Sequence, residues 1–325
     1  MLLKRGKISV ASNLEVNKNG TIGTVTKSKK TLKQSTKDHI SGYLYISPFF
    51  IIFGVFGLFP IIFTAYISFH KWNILGTKEF VGFNNYQLLF TDPLFWKALG
   101  NTFSIWFIST LPQLFLALIF AFILNSALLK GKEFFRLAVF LPNITSVVAV
   151  AIIFGAIFGE HYGILNYLLS FIGVDPINWK ASYLGTHIAI SAMVMWRWTG
   201  YNTIIYLSAL QSIPKDLYEA ATIDGANKMQ QFFYITIPMI RPMVIFTVIL
   251  STIGGMQIFA EPLMFSGNGG GALDQGLTMT LYLYEEAFVR NSFGYSSAIA
   301  WVLFLIIVLF SLVNLFVTNR IKSAE

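Results

Sequence analysis

Six stretches of this chain, at about residues 43–69, 98–128, 134–158, 183–210, 241–265 and 297–318, are apolar for about 20 residues or more and carry few charges. A helix rising 1.5 Å per residue needs that length to cross a hydrocarbon core ~30 Å thick. In lipid every backbone N–H and C=O must also be satisfied within its own segment. The pattern therefore predicts an all-α fold, a polytopic membrane helical bundle with six transmembrane helices. The fourth stretch is the most polar, because it carries Arg197. Composition points the same way: of 325 residues 55% are apolar and 12% charged, too little charge to coat a water-soluble surface of this size. That argues against a soluble enzyme.

Basic residues orient the bundle. The chain holds 23 Lys and Arg. Five of them, Lys71, Lys78, Lys97, Lys180 and Arg290, fall in the connections on one side, Arg197 falls inside a span, and the remaining 17 fall on the other side. Cytoplasmic connections carry the basic excess, so both termini and the loops at 129–133 and 211–240 are expected in the cytoplasm. Acidic residues divide evenly between the sides, so the net charge of +8 is this sorting signal and no nucleic-acid partner is implied. Residues 1–38, rich in Lys among Ser, Thr, Asn and Gly, are expected to be a disordered basic cytoplasmic tail, with 39–325 as the transmembrane domain. A cleaved secretory signal fits poorly, since the basic region is too long and the first apolar run exceeds the usual 7–15 residues.

Several chemistries are excluded by residue type. Cysteine is absent, and the four histidines, His39, His70, His161 and His187, have no zinc-ligand spacing. Neither a metal site nor a catalytic residue is expected, and no G-x-x-x-x-G-K-[ST] cradle exists, so any ATP must bind on another chain.

The loop at 211–240 has a distinct local pattern. Pro214 with Asp216 and Glu219 fits the start of a short helix. Gly225 permits the positive φ that ends one, and Pro238 is expected to stop a second short helix at the membrane. The result is a two-helix elbow. Small Ala220, Ala221 and Ala226 allow another surface to approach, and Met229, Phe232 and Phe233 supply apolar area.

Glu219-Ala220-Ala221, three residues, Gly225, nine residues, then Ile235-x-Ile237-Pro238 resembles the EAA loop of importer-type ABC transporter permeases, with Ile237 where Leu is usual. Phe80-Val-Gly-Phe-Asn-Asn-Tyr86, Asp92-Pro93-x-Phe95-Trp96, Asn101-Thr102 and Phe293-Gly-Tyr295 are similar to the carbohydrate-importer permeases of the maltose type. The resemblance covers about residues 40–320. It implies a permease subunit in a bacterial or archaeal inner membrane, with a second homologous permease, two cytoplasmic ATPase subunits that bind the ATP, an extracytoplasmic sugar-binding protein and a carbohydrate, a di- or oligosaccharide, as substrate. It further implies that Glu219, Ala220, Ala221, Asp224, Gly225, Ile235 and Pro238 form the coupling contact with an ATPase. The turn Gly267-Asn268-Gly269-Gly270-Gly271 departs from the Gly-Gly-Pro turn frequent in relatives.

Two charges lie at membrane depth, Arg197 and Glu261, where insertion costs at least ~2.5 kcal/mol. Sugars stack on aromatic rings and bond through hydroxyls, so Trp196, Arg197, Tyr201, Asn202, Gln257 and Glu261 are the candidate substrate surface. Arg197 and Glu261 can equally pair with one another. Gly254-Gly255 and Pro262 are candidate breaks in the fifth span. An ion-coupled secondary transporter is the competing class, and it would call for repeated ionisable pairs and internal repeats, neither of which is present.

Overall fold

The longest helix shows how local signals set the frame. Asp92 accepts the Leu94 N–H at 2.9 Å as N-cap, and Pro93 occupies the first turn, where its missing N–H costs nothing. The computed structural model describes residues 13–16, 22–25, 32–73, 76–126 and 129–322. In order these form β1 (Asn13–Val16), β2 (Ile22–Val25), α1 (Leu32–Phe53), α2 (Phe59–Ser68), β3 (His70–Lys71), β4 (Glu79–Phe80), α3 (Asn84–Thr91) and α4 (Pro93–Asn125). They continue with α5 (Lys132–Ile144), α6 (Val147–Ile157), α7 (Ile164–Ser170), α8 (Tyr183–Gln211), α9 (Lys215–Ile223), α10 (Lys228–Gln231), α11 (Ile237–Met256), α12 (Ala260–Ser266), α13 (Met279–Tyr284) and α14 (Phe293–Lys322). The helical class is as expected from the sequence. The strands form two antiparallel pairs, with Asn13 opposite Val25 and His70 opposite Phe80.

The chain divides into two compact units, Met1–Phe63 and Thr64–Glu325. In the first, much of the region expected to be a disordered tail lies outside the described residues. Its described part holds β1, β2 and the first turns of α1. The second unit carries the packed core. Along α4 the buried residues Ala98, Thr102, Ile105, Ser109, Gln113, Ala117, Ala121 and Leu124 recur every three or four positions, so one seam of small and polar side chains faces inward. Between apolar helices in lipid such seams drive association by close packing and hydrogen bonding. The partner is α8, with which α4 makes its most extensive contact.

The count of six spans is not confirmed by helix length and composition. Among the described residues four helical stretches are long and apolar enough to cross a membrane: His39–Ser68, Pro93–Asn125, Lys228–Met256 and Phe293–Phe316. The stretch expected as a single span at 134–158 is α5 and α6, bent by 96° at Thr145-Ser146. Pro142 removes one backbone donor from the last turn of α5, and Thr145 then takes an extended conformation. The 29-residue α8 is long enough but is not apolar enough by the same measure. It is buried among neighbours, where Thr186, His187, Ser191, Asn202 and Thr203 are tolerated.

Pro238 also departs from expectation. It does not stop a helix, because Lys228 to Met256 runs on as one helical stretch. A π-turn at Phe232–Thr236, closed by the Ile237 N–H on Phe232 O, opens the ladder just before the proline. The same device occurs at Gly54–Leu58, where Phe59 N–H reaches Gly54 O immediately before Pro60. The fifth span breaks after Met256, next to the glycine pair, and Pro262 lies inside α12.

Candidate functional site

α4, α8 and α11 enclose a cavity of about 230 Å³. Its polar lining comes from Thr110 and Gln113 on α4, Asn202 on α8 and Ser251 on α11, and its aromatic lining from Trp198 and Tyr201. The two rings stand edge to face with centroids 5.8 Å apart. Asn202, only 2% exposed, donates to Trp198 O and Ser251 Oγ at 3.4 Å each. Glycines set the helix spacing around it. A Cβ on Gly200 would lie 1.8 Å from Val139 O, so only glycine lets α8 meet α5 so closely, and a Cβ on Gly255 would lie 2.4 Å from the Trp106 ring.

Of the expected substrate residues, this cavity gathers Tyr201 and Asn202. Arg197 and Glu261 form an ion pair with each other, Glu261 being 5% exposed. That joins α8 to α12 and uses the charges that the sequence left open between partner and substrate. Trp196 packs its ring on Phe154 at 5.9 Å, and Gln257 is exposed outside the cavity. Thr110, Gln113 and Ser251 were not anticipated. Gln113, a buried amide beside Pro112 in an otherwise apolar run, is the one whose signal was visible.

At the C-terminal end of α4 sits the elbow, where the Phe122 and Phe232 rings meet at 5.3 Å. Gly225 has φ +82°, and Gly225 N–H reaches Thr222 O at 3.1 Å while Ala226 N–H reaches Ala221 O at 2.8 Å. These two bonds are a Schellman closure of α9. Asn227 then caps α10: its Oδ1 accepts Gln230 N–H at 2.9 Å, and Gln230 Oε1 accepts Asn227 N–H at 2.8 Å. Ala221, Asp224, Gly225 and Ile235 come together around a depression of about 280 Å³. Glu219 lines a neighbouring one with Lys228, whereas Ala220 and Pro238 are exposed outside both. Exposed Ile223, Met229, Phe233 and Tyr234 give this surface an apolar face.

The opposite end of α4 is about 50 Å away at 33 residues of 1.5 Å. There the separate sequence runs of 80–102 and 293–295 converge. Asp92 accepts hydrogen bonds from Tyr282 and, at 2.9 Å, from Tyr295. Burial acts to raise the Asp92 pKa, but the bonds from Tyr282, Leu94 N–H and Tyr295 and the charge of Arg290 outweigh it and hold the carboxyl below its ordinary value. Glu286 is raised by burial despite Arg290, which donates to it at 2.5 Å. Asn101 donates to Asp274 O at 2.9 Å and to Leu277 O at 3.0 Å, and Thr102 Oγ1 accepts Met279 N–H at 2.9 Å.

Apolar helices thus surround a polar, aromatic-lined cavity, with an elbow at one end of the longest helix, and the match to a family of transport permeases makes this a multi-pass membrane permease. The chain belongs to the family of binding-protein-dependent transport system inner membrane components, which it matches over residues 43–323. It is 38% identical over 286 residues to the arabinooligosaccharides transport system permease protein AraP of Bacillus subtilis (strain 168), covering 86% of this chain and 89% of that one. It is 36% identical over 301 residues to the lactose transport system permease protein LacF of Rhizobium radiobacter, covering 91% and 99%. In fold it resembles a chain of a bacterial alginate ABC transporter crystallised with an alginate pentasaccharide-bound periplasmic protein, with TM-score 0.77, 22% identity and coverage of 89% and 98%.

Proposed function

We propose that this permease carries a di- or oligosaccharide into the cytoplasm through the cavity between α4, α8 and α11. The observation that carries the reading is the cavity lining: two aromatic rings for sugar C–H faces, and Gln113, Asn202, Ser251 and Thr110 for hydroxyls. Relatives named for arabinooligosaccharides and for lactose support a short saccharide. A second permease completes the path across from this chain. An extracytoplasmic binding protein delivers the sugar at the Asp92 end, and both termini and the elbow lie in the cytoplasm.

Two ATPase subunits bind the ATP, for which this chain has no phosphate loop, and one docks on the elbow through Glu219, Ala220, Ala221, Asp224 and Gly225. Ile235 is half-buried against the core beneath, so its role is to seat the elbow, and Pro238 follows the π-turn. Arg197 and Glu261 hold α8 to α12 and shape the path without touching sugar.

The test is uptake by the complete transporter in proteoliposomes, using radiolabelled lactose, maltose, trehalose and arabinotriose with ATP and the binding protein. One of these sugars should accumulate only with both present, and Trp198→Ala should abolish it while the ATPases remain bound. Accumulation driven by a proton or sodium gradient without ATP would overturn the reading in favour of an ion-coupled carrier.

A further inference from the structure

Four side chains close a polar ring across the base of the elbow. Tyr218 Oη lies 2.9 Å from Thr236 Oγ1, and the Thr236 hydroxyl reaches Gln231 O at 3.4 Å. Gln231 Nε2 donates to Thr222 Oγ1 at 2.8 Å, and the Thr222 hydroxyl donates to Tyr218 O at 2.7 Å. The Thr222 hydroxyl donates to a backbone carbonyl and accepts from Gln231, so that half of the ring has one direction, while between Tyr218 and Thr236 either hydroxyl can donate. Gln231 adds a bond to Ala226 O at 3.2 Å and accepts Lys228 Nζ at 3.2 Å. On an otherwise exposed surface Gln231 is 4% and Thr236 2% exposed.

The placement of these anchors matters more than their number. Gln231 immediately precedes the π-turn Phe232–Thr236, and Thr236 is its last residue, so the ring grips both ends of that turn. Their partners Tyr218 and Thr222 are one turn apart on α9. Two places between α9 and the membrane could absorb motion: the Gly225 turn, where nothing lies within 4 Å of the Cβ position, and the π-turn, whose ladder is already opened. The ring spans both.

We propose that this ring makes α9, the π-turn and α11 a single mechanical body, with Gln231 and Thr236 as positioning residues that carry displacement of α9 into the membrane. The proposal rests on the reading of the elbow as the ATPase contact and adds how that contact reaches the cavity, since Ser251 and Gly254 lie on the same α11.

The absence of cysteine allows a direct test. Lys215→Cys on α9 and Phe246→Cys on α11, both exposed, take spin labels in the complete transporter reconstituted in nanodiscs. Electron–electron distances are then measured without nucleotide and with ATP plus vanadate. The ring predicts one narrow distance common to both states. In Gln231→Ala the distribution should broaden and its mean should differ between states. Thr222→Val should do the same, the double variant should fall short of the sum of the two because both remove the shared Gln231–Thr222 bond, and Thr222→Ser should restore the narrow distance. An unchanged distribution in Gln231→Ala, or a parent distance that itself changes with nucleotide, overturns the proposal. Failure of the underlying reading looks different: the ATPases would co-purify undiminished with a chain whose α9 is replaced by a Gly-Ser linker.

Discussion

The two ends of α4 are ordered in opposite ways. Among the hydrogen bonds that shape the elbow itself, the longest reach in sequence is from Tyr218 to Thr236, 18 positions apart. At the other end Asn101 reaches Asp274 across 173 positions and Tyr282 reaches Asp92 across 190. The elbow is therefore a local structure, written in a cap, a glycine and a proline. The Asp92 end exists only once α4, α13 and α14 have been brought together. Damage to the first should change what the transporter does, and damage to the second should change whether the chain assembles.

The largest effect tests the long-range side inside the membrane. Glu261→Gln or Arg197→Gln leaves one buried charge without its partner, at a cost of about 3–5 kcal/mol. Each single variant should show a markedly lower unfolding temperature in detergent, and the double neutralisation should recover most of it. If the singles fold like the parent and only uptake falls, the charges face the sugar and the pair is not structural.

Two glycines sharpen the comparison at intermediate size. A Cβ on Gly294 would lie 1.8 Å from His70 O, so Gly294→Ala forces α14 away from β3, with an expected loss of about 1–3 kcal/mol in stability. Gly225 has open space but φ +82°, so Gly225→Val meets backbone strain of about 1–2 kcal/mol confined to the turn. The melting temperature should fall more in the first than in the second, where sugar uptake is lost instead. Gly225→Asn, whose side chain tolerates the left-handed region, should keep more uptake than Gly225→Val. Equal melting shifts in the two alanine and valine variants would erase the distinction between the ends.

This difference also explains what could be read from the chain alone. The helical class, the long apolar stretches and the elbow with its Gly225 turn were legible because each depends on neighbours in sequence. The 96° bend at Thr145-Ser146 was not, since Pro142 occurs within an apolar run that has the length of a span. Continuation of the helix past Pro238 was hidden because a π-turn has no residue signature of its own. At the cavity, Tyr201 and Asn202 were found by type, whereas Thr110, Gln113 and Ser251 became visible only when α4 and α11 were placed against α8. Arg197 and Glu261 are 64 positions apart, and nothing in either segment says that they meet.

The smallest predicted effect concerns acid, and it has two signs at one place. The Asp92 pKa is depressed in the folded chain, so its contribution to stability is present above the unfolded value of about 3.9 and is lost as pH falls through the folded one. Glu286 is raised, so its contribution is fully present below its unfolded value of about 4.3 and is lost as pH rises through the folded one. Melting temperatures of the detergent-solubilised transporter across pH 3 to 7 should separate them. Asp92→Asn should flatten the decline below about pH 4, and Glu286→Gln should flatten the decline that begins above about pH 4.3. Since these groups hold the Asp92 end and no titrating bond of this kind shapes the elbow ring, neither substitution should alter the label distance between α9 and α11. A change in that distance with Asp92→Asn would mean that the two ends of α4 are coupled through the bundle rather than independently ordered.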